Sequence, residues 1–172
     1  MASLIDELTE VLEKELDRYR QLLPITESKT RIIIKNDLQA LSTVTGEEQN
    51  ITDDILALEK KREQVVSNIA TVINRPGAVL KVSDIVKMID KQPKERDRLS
   101  KVHDELKDVV TRLQKVNSHN KELIEQSLEL IEFNMNFIQS TRMSPGNNNY
   151  NKAAASMLDA GNVRTGMFDA KQ

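Results

Sequence analysis

The sequence predicts an all-α protein: an elongated antiparallel helical bundle or coiled coil of three long helices, followed by a flexible C-terminal tail. Three observations carry this expectation. Charged residues fill 30% of the 172 positions and aromatics only 3%, so Leu, Ile and Val supply nearly all of the apolar content. Those apolar residues recur among Lys and Glu at steps of three and four, the period of amphipathic helices packed side by side. Beyond residue 143 the composition turns to Ser144-Pro145-Gly146 and three consecutive Asn, which cannot continue a helix and bury nothing.

The first helix is expected over about residues 4–35. Ser3 is placed to act as its N-cap, and Asp6 and Glu7 in the first turn complement the helix dipole. Its apolar stripe is Ile5, Leu8, Leu12, Tyr19, Leu22 and Ile33. Pro24 falls inside this run. An interior proline removes one backbone hydrogen bond and crowds the preceding turn, so a kink or short break is expected there. Asn36-Asp37 then reads as a stop followed by the N-cap of the next helix.

A second helix is expected over about 38–74, with the stripe Leu41, Val44, Ile51, Ile55, Leu58, Val65, Ile69 and Val72. Gly46 within it costs about 1 kcal/mol relative to Ala. Arg75-Pro76-Gly77 ends it. A connector follows, in which Ser83 and Asp84 are placed to cap a short helix over about 83–90 carrying Ile85, Val86, Met88 and Ile89. Pro93 marks the entry to the last helix, about 94–142. There Leu99, Val102, Leu106, Val109, Leu113 and Val116 follow a heptad seam that continues through Asn120, Leu123, Ser127, Leu130, Asn134 and Phe137. After about residue 120 the better apolar face moves one position, to Ile124, Leu128, Ile131, Met135 and Ile138, as a straight helix drifts against a strict seven-residue repeat. The expected organisation is a helical shaft over 1–143 and a flexible tail over 144–172. That tail still carries Tyr150, Met157, Leu158, Val163, Met167 and Phe168, which a pure solubility tail does not need.

Four charges occupy seam positions that would otherwise be apolar: Glu15 and Lys29 in the first helix, Glu48 and Arg62 in the second. In an antiparallel hairpin, facing residues have a constant index sum. Glu15 with Arg62 and Lys29 with Glu48 both give 77, which puts the turn near residue 38 or 39, in agreement with the cap at Asp37. On one reading these pairs set the hairpin register, since a slipped register leaves charges unpaired. On the other, all four snorkel to solvent from the seam edge.

Several classes of function are disfavoured. The net charge is −2 with acids and bases interspersed, so no strong field draws nucleic acid or an anionic membrane. There is no Cys, hence no disulfide framework and no thiol chemistry, which fits a reducing cytosol. No apolar stretch is long enough to span a bilayer and the N-terminus lacks a signal-peptide run, so no membrane insertion is expected and the location is cytoplasmic. His103 and His119 have Ser100 and Val116 three residues before them, where a bundle di-iron site requires Glu, and read as solvated helix histidines. The cations Lys91, Lys94, Arg96, Arg98 and Lys101 are interrupted by Asp90, Glu95 and Asp97 and have no aromatic beside them for stacking, so they read as a solvated helix start. No metal, cofactor or catalytic constellation is indicated. The group Phe133, Met135, Phe137 and Met143 reads either as ordinary packing at a bundle end or as a partner-binding end continuous with the tail, since Met adapts to varied surfaces.

The stretch from Leu22 to Gln64, with Leu22-Leu23, Lys29, Asn36-Asp37-Leu38, Leu41, Glu48, Leu58-Glu59 and Arg62, resembles the FlgN family of flagellar type III export chaperones. So does the tail, with an Asn-rich lead, Tyr150, a later Gly161 and the closing Met167-Phe168-Asp169-Ala170-Lys171. Pro24 and the late position of Gly161 depart from the family pattern. The resemblance implies a chaperone for unassembled hook–filament junction (hook-associated) proteins, which keeps them from aggregating and delivers them to the export apparatus. It implies docking on the cytoplasmic domain of the export gate through Tyr150. The client site is expected within residues 120–168, on Ile124, Leu128, Ile131, Met135, Ile138, Met157, Leu158, Met167 and Phe168. The competing reading is a structural coiled-coil protein that self-associates through the 99–138 seam.

Overall fold

A computed structural model of the chain describes residues 2–78 and 80–143, and every regular element among them is helical. The helices are α1 (Ala2–Ile34), α2 (Leu38–Val72), the short α3 (Val82–Met88) and α4 (Pro93–Met143). The chain divides into two compact units, Met1–Leu128 and Glu129–Gln172. The expected passage from shaft to tail at 143/144 lies at the limit of the described residues.

Local chemistry fixes both ends of the first turn. Asn36 sits at φ 53°, in the left-handed region that asparagine tolerates better than most side-chain-bearing residues. Its amide donates to the Ile33 carbonyl at 3.0 Å and that of Asp37 to the Ile32 carbonyl at 3.3 Å, which satisfies carbonyls that the end of α1 would otherwise orphan. Asp37 then turns its carboxylate to the Ala40 amide at 3.0 Å and starts α2. Asn74 repeats the device at the end of α2, with φ 55°, its amide on the Thr71 carbonyl and the Arg75 amide on the Ala70 carbonyl.

Three local expectations give way. Ser3 is already helical, so it is not the N-cap of α1. Lys81, without a side-chain bond, and not Ser83, precedes α3. Pro24 does not break α1, which is unbroken from Ala2 to Ile34. Pro24 and Arg20, the residue whose carbonyl loses its donor, both lie on the exposed side of the helix. That carbonyl therefore faces solvent, and burial of Leu22, Leu23 and Thr26 around the proline offsets the lost bond.

In the first unit α1 is the central helix. Its stripe Ile5, Leu8, Leu12 and Leu16 packs with Val65 and Ile69 of α2, Ile85 of α3 with the adjoining Ile89, and Leu99, Val102 and Leu106 of α4. A second cluster joins Leu22 and Leu23 to Ile55 and Leu113. Val72, expected on the α2 stripe, is exposed instead.

The charges report the two registers of α1. On its α2 flank, Arg62 Nη1 donates to Glu15 Oε2 at 2.8 Å and Lys29 Nζ to Glu48 Oε2 at 2.6 Å, both pairs summing to 77. On its α4 flank three ion pairs share one index difference. Arg98 forks onto Glu13 at 2.7 and 2.8 Å, Arg20 reaches Glu105 at 2.8 Å and Arg112 reaches Glu27 at 2.7 Å, each 85 residues apart. A constant difference means α1 and α4 run parallel, and the heptad steps between pairs mark a coiled-coil register. The pairs are exposed and contribute little stability individually. Their signs alternate along each helix, so a slip of one heptad sets Glu13 against Glu105 and Arg20 against Arg112. The ladder thus disfavours the wrong register more than it stabilises the right one.

Candidate interaction surface

The seam of α4 is covered as far as Asn120. Leu99, Val102, Leu106 and Leu113 are buried, and so is Asn120, at 3% exposure. Its amide nitrogen donates to the Thr26 carbonyl at 3.0 Å and its oxygen accepts from the Thr30 hydroxyl at 2.6 Å, so a polar residue stands in the seam with both ends of its amide satisfied. Ile34 is the last residue of α1, and the offset of 85 sets it beside residue 119. Past that level α4 has no α1 to lean on. Leu123, Ile124 and Ser127 are half-buried and Leu128 is exposed.

In the second unit the described part of α4 is exposed throughout, residues 129–141. Leu130, Ile131, Phe133, Met135, Phe137 and Ile138 all face solvent, from 46% exposure at Ile138 to 67% at Phe133. Transfer of one such side chain out of water is worth roughly 1.5–3 kcal/mol, so the segment holds on the order of 10 kcal/mol of unused apolar surface. Glu129 and Glu132 are its only charges between 129 and 141. The side-chain hydrogen bonds within that stretch are local, Ser140 to the Phe137 carbonyl and Thr141 to the Ile138 carbonyl. Such apolar exposure over two and a half turns makes this segment the candidate interaction surface among the described residues.

Of the residues named from sequence, Leu128, Ile131, Met135 and Ile138 are exposed and recur at helical steps, and Ile124 precedes them half-buried. Tyr150, Met157, Leu158, Met167 and Phe168 lie outside the described residues. Leu130, Phe133 and Phe137 are equally exposed and form a second series that the client list omits. The signal for it was available, because two sets with three-and-four spacing overlap between 128 and 138.

The buried charges of the hairpin differ in environment. Lys29 and Glu48 keep some solvent contact, and Glu48 also accepts from the Thr26 hydroxyl at 2.8 Å. Glu15 is fully buried, and its Oε1 has no hydrogen-bond partner. Burial pushes its carboxyl up to about 7, against the attraction of Arg62 and with some help from the Glu59 charge. Among the described residues no His, Asp or Glu cluster suits a metal, and no helix is long and apolar enough to cross a membrane.

The family described as FlgN protein matches residues 1–156 of the chain, which includes every described residue. The chain belongs to the FlgN family. FlgN proteins are chaperones of flagellar protein export, so the exposed end of α4 belongs to a protein whose work is to hold other flagellar proteins. The FlgN match takes in Tyr150 and stops before Met157, Leu158, Met167 and Phe168. Neither a curated protein nor a solved structure gives a match to the chain.

Proposed function

We propose that this FlgN chaperone acts in the cytoplasm on unassembled hook–filament junction proteins, binding them through residues 120–168 and delivering them to the export apparatus. The observation that supports this reading is the bare apolar run in the described end of α4, in contrast to the earlier seam of the same helix, where Leu99, Val102, Leu106 and Leu113 are buried. Junction subunits polymerise through amphipathic helical termini, and a free terminus exposes surface that aggregates. Apolar burial on the order of 10 kcal/mol, less an association cost of about 4 kcal/mol or more, leaves this segment alone short of a micromolar complex, so further contacts must contribute. In this reading Ile124, Leu128, Ile131, Met135 and Ile138 seat the client, and Met157, Leu158, Met167 and Phe168 close over it. Tyr150 docks on the cytoplasmic domain of the export gate.

The competing picture, self-association through 99–138, is weakened by the core. Leu99, Val102, Leu106 and Leu113 are already buried within the chain, so that part of the seam is not free for another copy. The deciding experiment is calorimetric titration of a purified junction subunit into the full chain and into a chain ending at Arg142. A stoichiometric complex weakened at least about tenfold by the truncation, about 1.4 kcal/mol, supports the proposal. Unchanged affinity removes the tail from the site. Absence of any complex with the full chain refutes the function.

A further inference from the structure

The exposed apolar residues in the described part of the second unit form not one stripe but two. At about 100° per residue, Ile131, Met135 and Ile138 centre on one direction of the helix and Leu130, Phe133 and Phe137 on another, about 130° away. Glu129, Glu132, Asn136 and Gln139 fill the opposite side, and Asn134 falls in the notch between the stripes. The apolar arc therefore covers about 200° of the helix circumference. A helix packed on one neighbour needs an apolar face of only about 100°.

Resting on the client-binding reading above, we infer that the end of α4 is built to lie between two amphipathic helices of one client, one on Ile131, Met135 and Ile138 and the other on Leu130, Phe133 and Phe137. A single partner helix covers one stripe and leaves three large apolar side chains in water. Directions about 130° apart are too divergent for one groove and suit two helices that flank α4. Asn134 then faces the gap between those helices, where a polar group keeps access to solvent. The first unit contains the same arrangement, since α1 carries one stripe to α2 and another to α4. Charge narrows the partner further. Glu129 and Glu132 border the arc with no cation between 129 and 141, so the flanking positions of the client helices are basic.

The test uses the full chain and two triple variants at exposed positions. One is Ile131→Gln, Met135→Gln and Ile138→Gln; the other is Leu130→Gln, Phe133→Gln and Phe137→Gln. Circular dichroism and sedimentation of each free chain accompany calorimetric titration with a purified junction subunit. Expected are unchanged helicity, a monomeric free chain and a loss of affinity of at least tenfold in both variants, at one client per chain. Loss in one variant only overturns the two-helix inference and leaves the client-binding reading standing. No loss in either variant removes the end of α4 from client binding altogether. A free chain that is dimeric, and becomes monomeric in the variants, assigns the stripes to a second copy and also overturns the inference.

Discussion

Replacing Glu15 by Gln should remove a pH dependence that the fold itself creates. Glu15 is fully buried, keeps one oxygen without a partner and titrates near 7 instead of its ordinary 4.5. Between those two values the folded chain holds a proton that the unfolded chain has released. Stability therefore falls as pH rises through that window, and levels off above about 7. One pKa unit corresponds to about 1.4 kcal/mol, so the wild-type chain forfeits about 3 kcal/mol from this residue between about pH 4 and pH 8. Gln keeps the size and an acceptor for Arg62 and carries no titrating proton. Urea unfolding followed by circular dichroism, in both chains across that pH range, isolates the contribution, because every other carboxylate is common to the two. The stability of Glu15→Gln relative to wild type should grow by about 3 kcal/mol from acid to alkaline conditions. A difference that stays flat, or that shrinks with pH, refutes the reasoning and means that Arg62 outweighs burial.

Two further outcomes follow from the hairpin. Glu15→Arg and Arg62→Glu should each cost about 3–5 kcal/mol by removing one partner of the pair and leaving the other without its counter-charge, and the double swap should recover at least half of the summed loss; if it recovers none, the pair does not set the register. Gly46→Ala should raise stability by about 1 kcal/mol in thermal or urea unfolding, because Gly46 is helical and a Cβ there meets nothing within 4 Å. A loss of stability there would point to a surface contact made by the bare backbone.

The sequence made some features legible because the residues concerned have few alternatives. Asn36-Asp37 combines a side chain tolerant of the left-handed region with a strong N-cap, and both roles are taken up as expected. Seam charges such as Glu15 stand out against an apolar stripe, so their pairing arithmetic is visible. Glu13, Arg20 and Glu27 carry equal information about α4, but they sit on exposed positions in a chain that is 30% charged, where one opposite-sign coincidence means little. Only the repetition of the same offset three times distinguishes them. Pro24 misled for a different reason: two positions from Leu22 it falls on the side opposite the apolar stripe, where the missing bond is open to water and tolerable, a placement that the rule against interior proline ignores. Leu130, Phe133 and Phe137 were each legible, Leu130 and Phe137 on the seam and Phe133 and Phe137 in the Phe and Met group, but neither pattern alone joins the three into one exposed series. The seam already places Asn120 among covered positions, but its partners could not be anticipated, because Thr26 and Thr30 arrive from 90 or more positions away.

The spacing of α1 from α4 also shapes how the chain is made. Ribosomes add about 5 to 20 residues per second, so the strip of α1 bearing Glu13, Arg20 and Glu27 waits about 4 to 17 s for the helix that will lie along it. Until then the nascent product is a two-helix hairpin held by near-neighbour contacts, with one greasy flank uncovered. Synthesis halted before Leu99 would leave that flank open for good. The front half of this protein is thus an unfinished piece, completed only when α4 arrives.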